Sequence, residues 1–135
     1  MKTKLLTCQS LNTEIATLLL RLIFGGLFVY HGYTKLIAFD QILGMFPDLI
    51  GIGAKTSFIL VIFAELVCGF LVTIGFLTRL AVIPIFITMA VAFLMAHTKD
   101  AFMMKELPFV FLLLSVVIFI AGSGNFSIDK LILKK

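Results

Sequence analysis

Six ionisable side chains stand in or against long apolar runs of this sequence: Arg21, His31, Lys35, Glu65, His97 and Glu106. An imidazole or a carboxyl group can hand a proton to a bound molecule, and an ammonium or guanidinium can stabilise negative charge developing on its oxygen. Glu65 is the most informative of the six. It lies eleven residues from either end of the run Ala54 to Phe76. A charged group at the centre of a membrane helix costs about 2.5 to 3.5 kcal/mol to insert, so such a residue needs a partner or a task. Arg21 is its natural ion-pair partner, although their expected depths differ by several Å, and His31 competes from the other side.

The elements that must position these groups follow from composition. The 135 residues are 61% hydrophobic and 13% charged, with a mean hydropathy of +1.20, outside the range of a soluble domain. Four mostly apolar runs, 15–33, 54–76, 80–97 and 107–122, each approach the roughly 20 residues that cross a hydrocarbon core as a helix. Backbone groups in lipid must be satisfied internally, and no alternation of polar and apolar residues suggests a barrel. The expectation is an all-α transmembrane four-helix bundle, a single domain over 1–135, with short loops and one longer outer connection. Lys2, Lys4, Arg79, Lys130, Lys134 and Lys135 fall on the face carrying the termini, against Lys35, Lys55, Lys99 and Lys105 on the other. Six against four favours an inner-membrane protein with both termini cytoplasmic. The net charge of +4 reflects this distribution and does not argue for nucleic acid. Cys8 and Cys68 are far apart in sequence and belong to no metal-ligand spacing, so no metal site and no dithiol chemistry are expected.

The connections carry their own signals. Residues 1–14 form a polar, basic arm with an interfacial turn over Leu5, Leu6 and Leu11. The connection 36–53 suits a short surface helix ended by Pro47 and the glycines at 51 and 53. Leu77-Thr78-Arg79 is a tight turn that makes spans two and three antiparallel neighbours. Pro108 fits the first turn of span four, and Ser127-Ile128-Asp129 suits the cap of a short tail helix.

A helical wheel gathers Arg21, Gly25, Phe28, Gly32 and Lys35 on one stripe of span one, with His31 on its flank. The stripe through Glu65 collects Phe58, Val61, Ile62, Cys68, Gly69 and Val72. Glycines on such a stripe allow a neighbouring helix to approach closely. Two readings of the polar groups stay open. In one, Tyr30 and Tyr33 sit in the aromatic belt, Lys35 snorkels outward, and the histidines merely tolerate the border. In the other, His31, Lys35, Glu65, His97 and Glu106 converge on a polar pocket near the outer side. The phenylalanines at 28, 58, 63, 86, 93 and 102 are expected to pack.

The pattern Arg21-x3-Gly25-x2-Phe28-x2-His31-Gly32-x2-Lys35-Leu36-x2-Phe39, then Glu65-x3-Gly69-x5-Gly75-x2-Thr78-Arg79-Leu80, then Gly122-x-Gly124-x2-Ser127-Ile128-Asp129 resembles the DoxX family of small four-helix membrane proteins, over about residues 18–131. Members resemble the quinone-reducing subunits of a thiosulfate:quinone oxidoreductase. The resemblance implies a membrane four-helix bundle and work at a quinone. Quinone reduction needs an apolar slot, a proton donor and a hydrogen-bond donor near the carbonyl oxygens. His31 and Glu65 would then be catalytic, and Arg21, Lys35, His97 and Glu106 would bind the quinone. The sequence has no haem-type histidine pair of suitable depth, no iron-sulfur cysteine set and no dinucleotide fingerprint, so electrons would come from a redox partner protein or an outer-face substrate. Two other functions fit the same residues: a small-molecule or lipid transport or binding protein, and a non-catalytic membrane assembly protein. Low charge and small-residue stripes also allow a homodimer.

Overall fold

The computed structural model describes residues 8–133, which form six helices and no strand. They are α1 (Thr13–Ile37), α2 (Phe39–Leu43), α3 (Ala54–Ile74), α4 (Thr78–Ala96), α5 (Phe102–Ala121) and α6 (Ile128–Ile132). Helices α1, α3, α4 and α5 are each long and apolar enough to cross a membrane. The protein is a multi-pass membrane protein in which the start of α1 and the segment after α5 lie on one side of the bundle. The side carrying the connections α1–α3 and α4–α5 is called the loop end below. Leu11 is exposed ahead of α1, and the rest of the interfacial turn expected over Leu5 and Leu6 lies outside the described residues.

Local chemistry sets the helix ends. Asn12 caps α1, its side chain accepting from the amides of Glu14 and Ile15 at 3.0 and 3.1 Å. The helix runs past Tyr33 to Ile37, because Lys35 is held inside the bundle and has no need of an early exit to water. Helix α5 starts at Phe102, ahead of the expected Leu107. Lys105 is accommodated by lying 5.2 Å over the Phe93 ring. Pro108 is consequently inside the helix and not in its first turn, which removes one backbone hydrogen bond there. The turn between α3 and α4 closes through Gly75 and Leu77, both in the left-handed region at φ 72° and 47°. Ser127 caps α6 as the sequence suggests, accepting from the Lys130 amide at 3.2 Å.

Helices α1 and α3 are in backbone contact. A methyl group on Gly25 would lie 2.6 Å from the Gly69 carbonyl oxygen, one on Gly69 2.8 Å from Phe28 Cβ, and one on Gly32 2.5 Å from the Leu66 amide nitrogen. These approaches fix one antiparallel register, in which Gly32 faces Leu66 and Gly25 faces Thr73. The stripe that a homodimer would use is therefore consumed within the bundle. Phe24, Phe28 and Phe111 stack beside this seam, with centroid separations of 4.7, 4.8 and 5.9 Å, and the core continues through Val72, Val82, Ile85 and Ile118. Of the six phenylalanines expected to pack, Phe28 and Phe58 are buried, whereas Phe63, Phe86 and Phe102 are exposed on the outer, lipid-facing surface.

The end opposite the loops is tied by side chains bonded to backbone. Arg21, only 1% exposed, donates from Nη1 to the Ser123 carbonyl at 2.6 Å and from Nη2 to the Phe126 carbonyl at 2.5 Å. Its guanidinium packs against the Cα of Gly75, where any side chain would collide with it. Asp129 accepts from the Leu77 amide at 2.9 Å and its own amide donates to the Gly75 carbonyl at 3.0 Å. Arg79 donates from Nε to the Phe119 carbonyl at 3.1 Å, and Glu14 accepts from the Asn125 amide at 2.6 Å. Chain segments that would otherwise leave carbonyls unsatisfied at the end of α5 are thus saturated.

Gly32→Val is expected to lower the stability of the detergent-solubilised protein by about 1 to 3 kcal/mol, the usual cost of overpacking. Gly26, with open space around its Cα, serves as control, and Gly26→Val should leave the melting temperature within error of the native protein.

Candidate functional site

The register set by the glycines decides which cation meets Glu65. Helix α3 changes to a π-helical turn over Phe63–Cys68, and on that wider turn Ala64, Glu65 and Cys68 all point inward. Such turns are uncommon and concentrate at functional positions. Glu65 is 3% exposed, and its Oε2 accepts a short, charge-assisted hydrogen bond from Lys35 Nζ. Lys35 therefore turns inward to the carboxylate and does not snorkel to the membrane surface. Arg21 is not the partner. It packs at Gly75, ten residues along α3 from Glu65, or roughly 15 Å at 1.5 Å per residue.

The ion pair forms one wall of a cavity of about 310 Å³ at the loop-end half of the bundle. Phe28, Val61, Met89 and Phe111 supply apolar walls from the four long helices, and Phe46, Pro47 and Leu49 of the first connection close over it. His31 also lines the cavity, its ring edge-on to Phe111 at 6.3 Å. Neither the His31 ring nor Glu65 Oε1 has a hydrogen-bond partner among the described residues, which leaves an imidazole and a carboxylate oxygen for a bound molecule. His97 reaches the rim, where its Nδ1 lies 2.7 Å from Asp100 Oδ2. A second π-helical turn, Ala92–Ala96, precedes His97 and contributes Ala92 and Ala96 to the lining.

The structure brings together four of the six residues marked out in sequence: His31, Lys35, Glu65 and His97. Two are elsewhere. Arg21 is occupied at the opposite end of the bundle, and Glu106 is exposed on α5 away from the cavity, whose edge is instead lined by its neighbours Leu107 and Pro108. Sequence reasoning missed the roof over the site. The length of the first connection and its apolar Phe46 were visible, but they suggested a segment lying flat on the membrane. The two π turns left no readable signal in the sequence. Among the described residues no three His, Cys, Asp or Glu side chains are grouped as metal ligands would be.

The DoxX family profile matches residues 16–98, which include the ion pair and three of the four long helices. The segment Gly122 to Asp129 lies beyond that match. The chain is 30% identical over 122 residues to "Putative oxidoreductase CatD" of Bacillus subtilis (strain 168), covering 90% of each protein. It is 32% identical over 137 aligned positions to "Uncharacterized membrane protein Rv3486" of Mycobacterium tuberculosis, covering 86% of this chain and 80% of that one. No solved structure matches at a significant level.

Two outcomes separate the roles of Lys35 and Arg21. Lys35→Met should cost about 3 kcal/mol in an unfolding titration, near the lower end for breaking a buried pair because 28% of the lysine side chain stays accessible; the double variant Lys35→Met/Glu65→Leu should recover most of it. Arg21→Gln should also destabilise, by about 1.5 to 3 kcal/mol for each hydrogen bond from a charged donor, while leaving ligand binding in the cavity of the folded fraction unchanged.

Proposed function

The chain belongs to the DoxX family, and from that premise we propose that it is a quinone-binding subunit of a membrane oxidoreductase. The observation that carries this reading is a charged pair, Lys35 and Glu65, on the wall of a largely apolar cavity of ring-accommodating size at membrane depth. Supporting it, the relative from Bacillus subtilis bears an oxidoreductase name.

The residues present fit such a ring. Phe28, Phe46 and Phe111 offer aromatic faces. The Lys35 ammonium has donors beyond the one spent on Glu65, and His31 offers a second donor from another position on α1. When bound, a quinone accepts two electrons and two protons. Lys35 would hold the ring by donating a hydrogen bond to one oxygen, and its positive charge would stabilise the negative charge that develops there as electrons arrive. Glu65 Oε1 and the His31 ring hold and pass protons, and the roof of Phe46, Pro47 and Leu49 keeps water off the ring. Arg21 and Glu106 have no part in this site. Electrons are supplied by a partner protein. The bundle sits in the inner membrane with its termini in the cytoplasm, as the six-to-four distribution of basic residues favours.

Purified protein in nanodiscs should gain several degrees in melting temperature from a short-chain benzoquinone or naphthoquinone. Glu65→Gln, which keeps the side-chain volume, should weaken that binding at least tenfold, about 1.4 kcal/mol, with a melting curve that is still cooperative. No shift with either quinone class overturns the reading. Substrate-dependent proton flux in liposomes, abolished by Glu65→Gln, would point to a transporter instead.

A further inference from the structure

Beside the main cavity lies a second one of about 120 Å³, also beneath the first connection. Phe46, Pro47, Leu49, Val61, Thr88 and Val91 line both, so the second cavity adjoins the first as a side branch with only these side chains between them. The side branch adds Ile50, Ser57, Leu60 and Ile87, and it separates α3 from α4 toward the outside of the bundle. Ile50, Leu60 and Ile87 are each about half exposed on the outer surface, and Ile87 is midway along α4. The mouth of the branch is therefore at hydrocarbon depth and faces acyl chains. The Thr88 hydroxyl is spent on the Pro84 carbonyl at 2.9 Å. Ser57 is 6% exposed, and its Oγ is the one polar atom of the branch left without a hydrogen-bond partner.

On the reading of the main cavity as a quinone site, we propose that the side branch is the exit for the ligand's hydrocarbon tail, so that the protein takes long-tailed lipid quinones laterally from the bilayer through the gap between α3 and α4. The geometry supplies the reason. A ring seated at Lys35 and Glu65 lies under the roof of the first connection, and a tail leaving toward the loop end would have to enter water. A tail leaving between Leu60 and Ile87 goes directly into lipid. Moving a tail from acyl chains into an apolar slot gains little by itself, since both surroundings are equally apolar. The branch therefore acts by permitting long tails, not by tightening their hold.

The probes are 2,3-dimethoxy-5-methyl-1,4-benzoquinone and its 6-decyl derivative, bound to the full chain in phosphatidylcholine nanodiscs, with affinities expressed per mole of lipid. The native protein should bind both within about threefold. Leu60→Trp or Ile87→Trp, each filling the branch without touching the main cavity, should weaken the decyl compound at least tenfold and leave the tailless ring unchanged. Ser57→Ala should leave the decyl compound bound at least as well, because a hydrocarbon occupant has no use for the hydroxyl. A decyl probe carrying a diazirine on its tail should label α3 near Leu60 or α4 near Ile87, a readout that needs no substitution. The tail route is overturned if the native protein rejects the decyl compound, if both probes respond alike to the tryptophans, if labelling falls elsewhere, or if Ser57→Ala weakens binding and so marks an oxygen-bearing occupant. Binding of neither ring overturns the quinone reading and the tail route together; binding of the tailless ring alone overturns only the latter.

Discussion

A carboxylate buried to 3% exposure in an apolar bundle constrains everything packed around it. Two charges taken out of water cost more to desolvate than an ordinary ion pair returns, and the difference is made up only by close, hydrogen-bonded geometry. Here the geometry comes from three glycines. Gly25, Gly32 and Gly69 let the backbones of α1 and α3 touch, and that contact admits one register. In it Lys35 falls opposite the π turn that carries Glu65. Any larger residue at these positions would separate the helices and take the ammonium away from the carboxylate.

The two halves of the bundle use their polar residues differently. Toward the chain ends, Arg21, Arg79, Glu14 and Asp129 bond to backbone groups of the turn after α3 and the segment after α5, closing the structure with its carbonyls and amides satisfied. Toward the loops, the side chains leave space. His31, Lys35 and Glu65 face a cavity whose remaining walls are mostly apolar, and the connection beside it is held by a turn in which Asp48 accepts from the amides of Gly51 and Gly53 at 2.9 and 3.0 Å. The half toward the chain ends is thus closed by bonded backbone, and the half toward the loops is hollow.

This division also sorts the residues that the family pattern joins. Arg21, Gly75, Gly122, Ser127 and Asp129 belong to the closure of the chain ends, where Arg21, Ser127 and Asp129 bond to backbone and Gly75 and Gly122 make room for the guanidinium groups of Arg21 and Arg79. His31, Lys35 and Glu65 belong to the cavity, and Gly25, Gly32 and Gly69 to the seam that aligns them. Three physical tasks are therefore interleaved along a single motif, and the arginine at its start is no evidence about the chemistry at its centre.

Much of this was legible in the residues alone. Hydropathy determined four membrane helices, because lipid leaves a backbone no alternative. The 100° periodicity determined which face of α1 and of α3 turns inward, and the stripes through Gly32 and Glu65 are buried as expected. The cap at Ser127 was readable because capping is local chemistry. A wheel reports direction around a helix but says nothing of the height at which it meets its neighbour, so the sequence pointed to Arg21, with His31 competing, as the partner of Glu65, and Lys35 emerged only once the glycine contacts set the register. The π turns, the inward fold of Phe46 to Leu49 and the early start of α5 arise from packing among segments distant in sequence. Tertiary structure alone decided those, and with them the shape of the cavity, because a cavity is bounded by neighbours that no local pattern encodes.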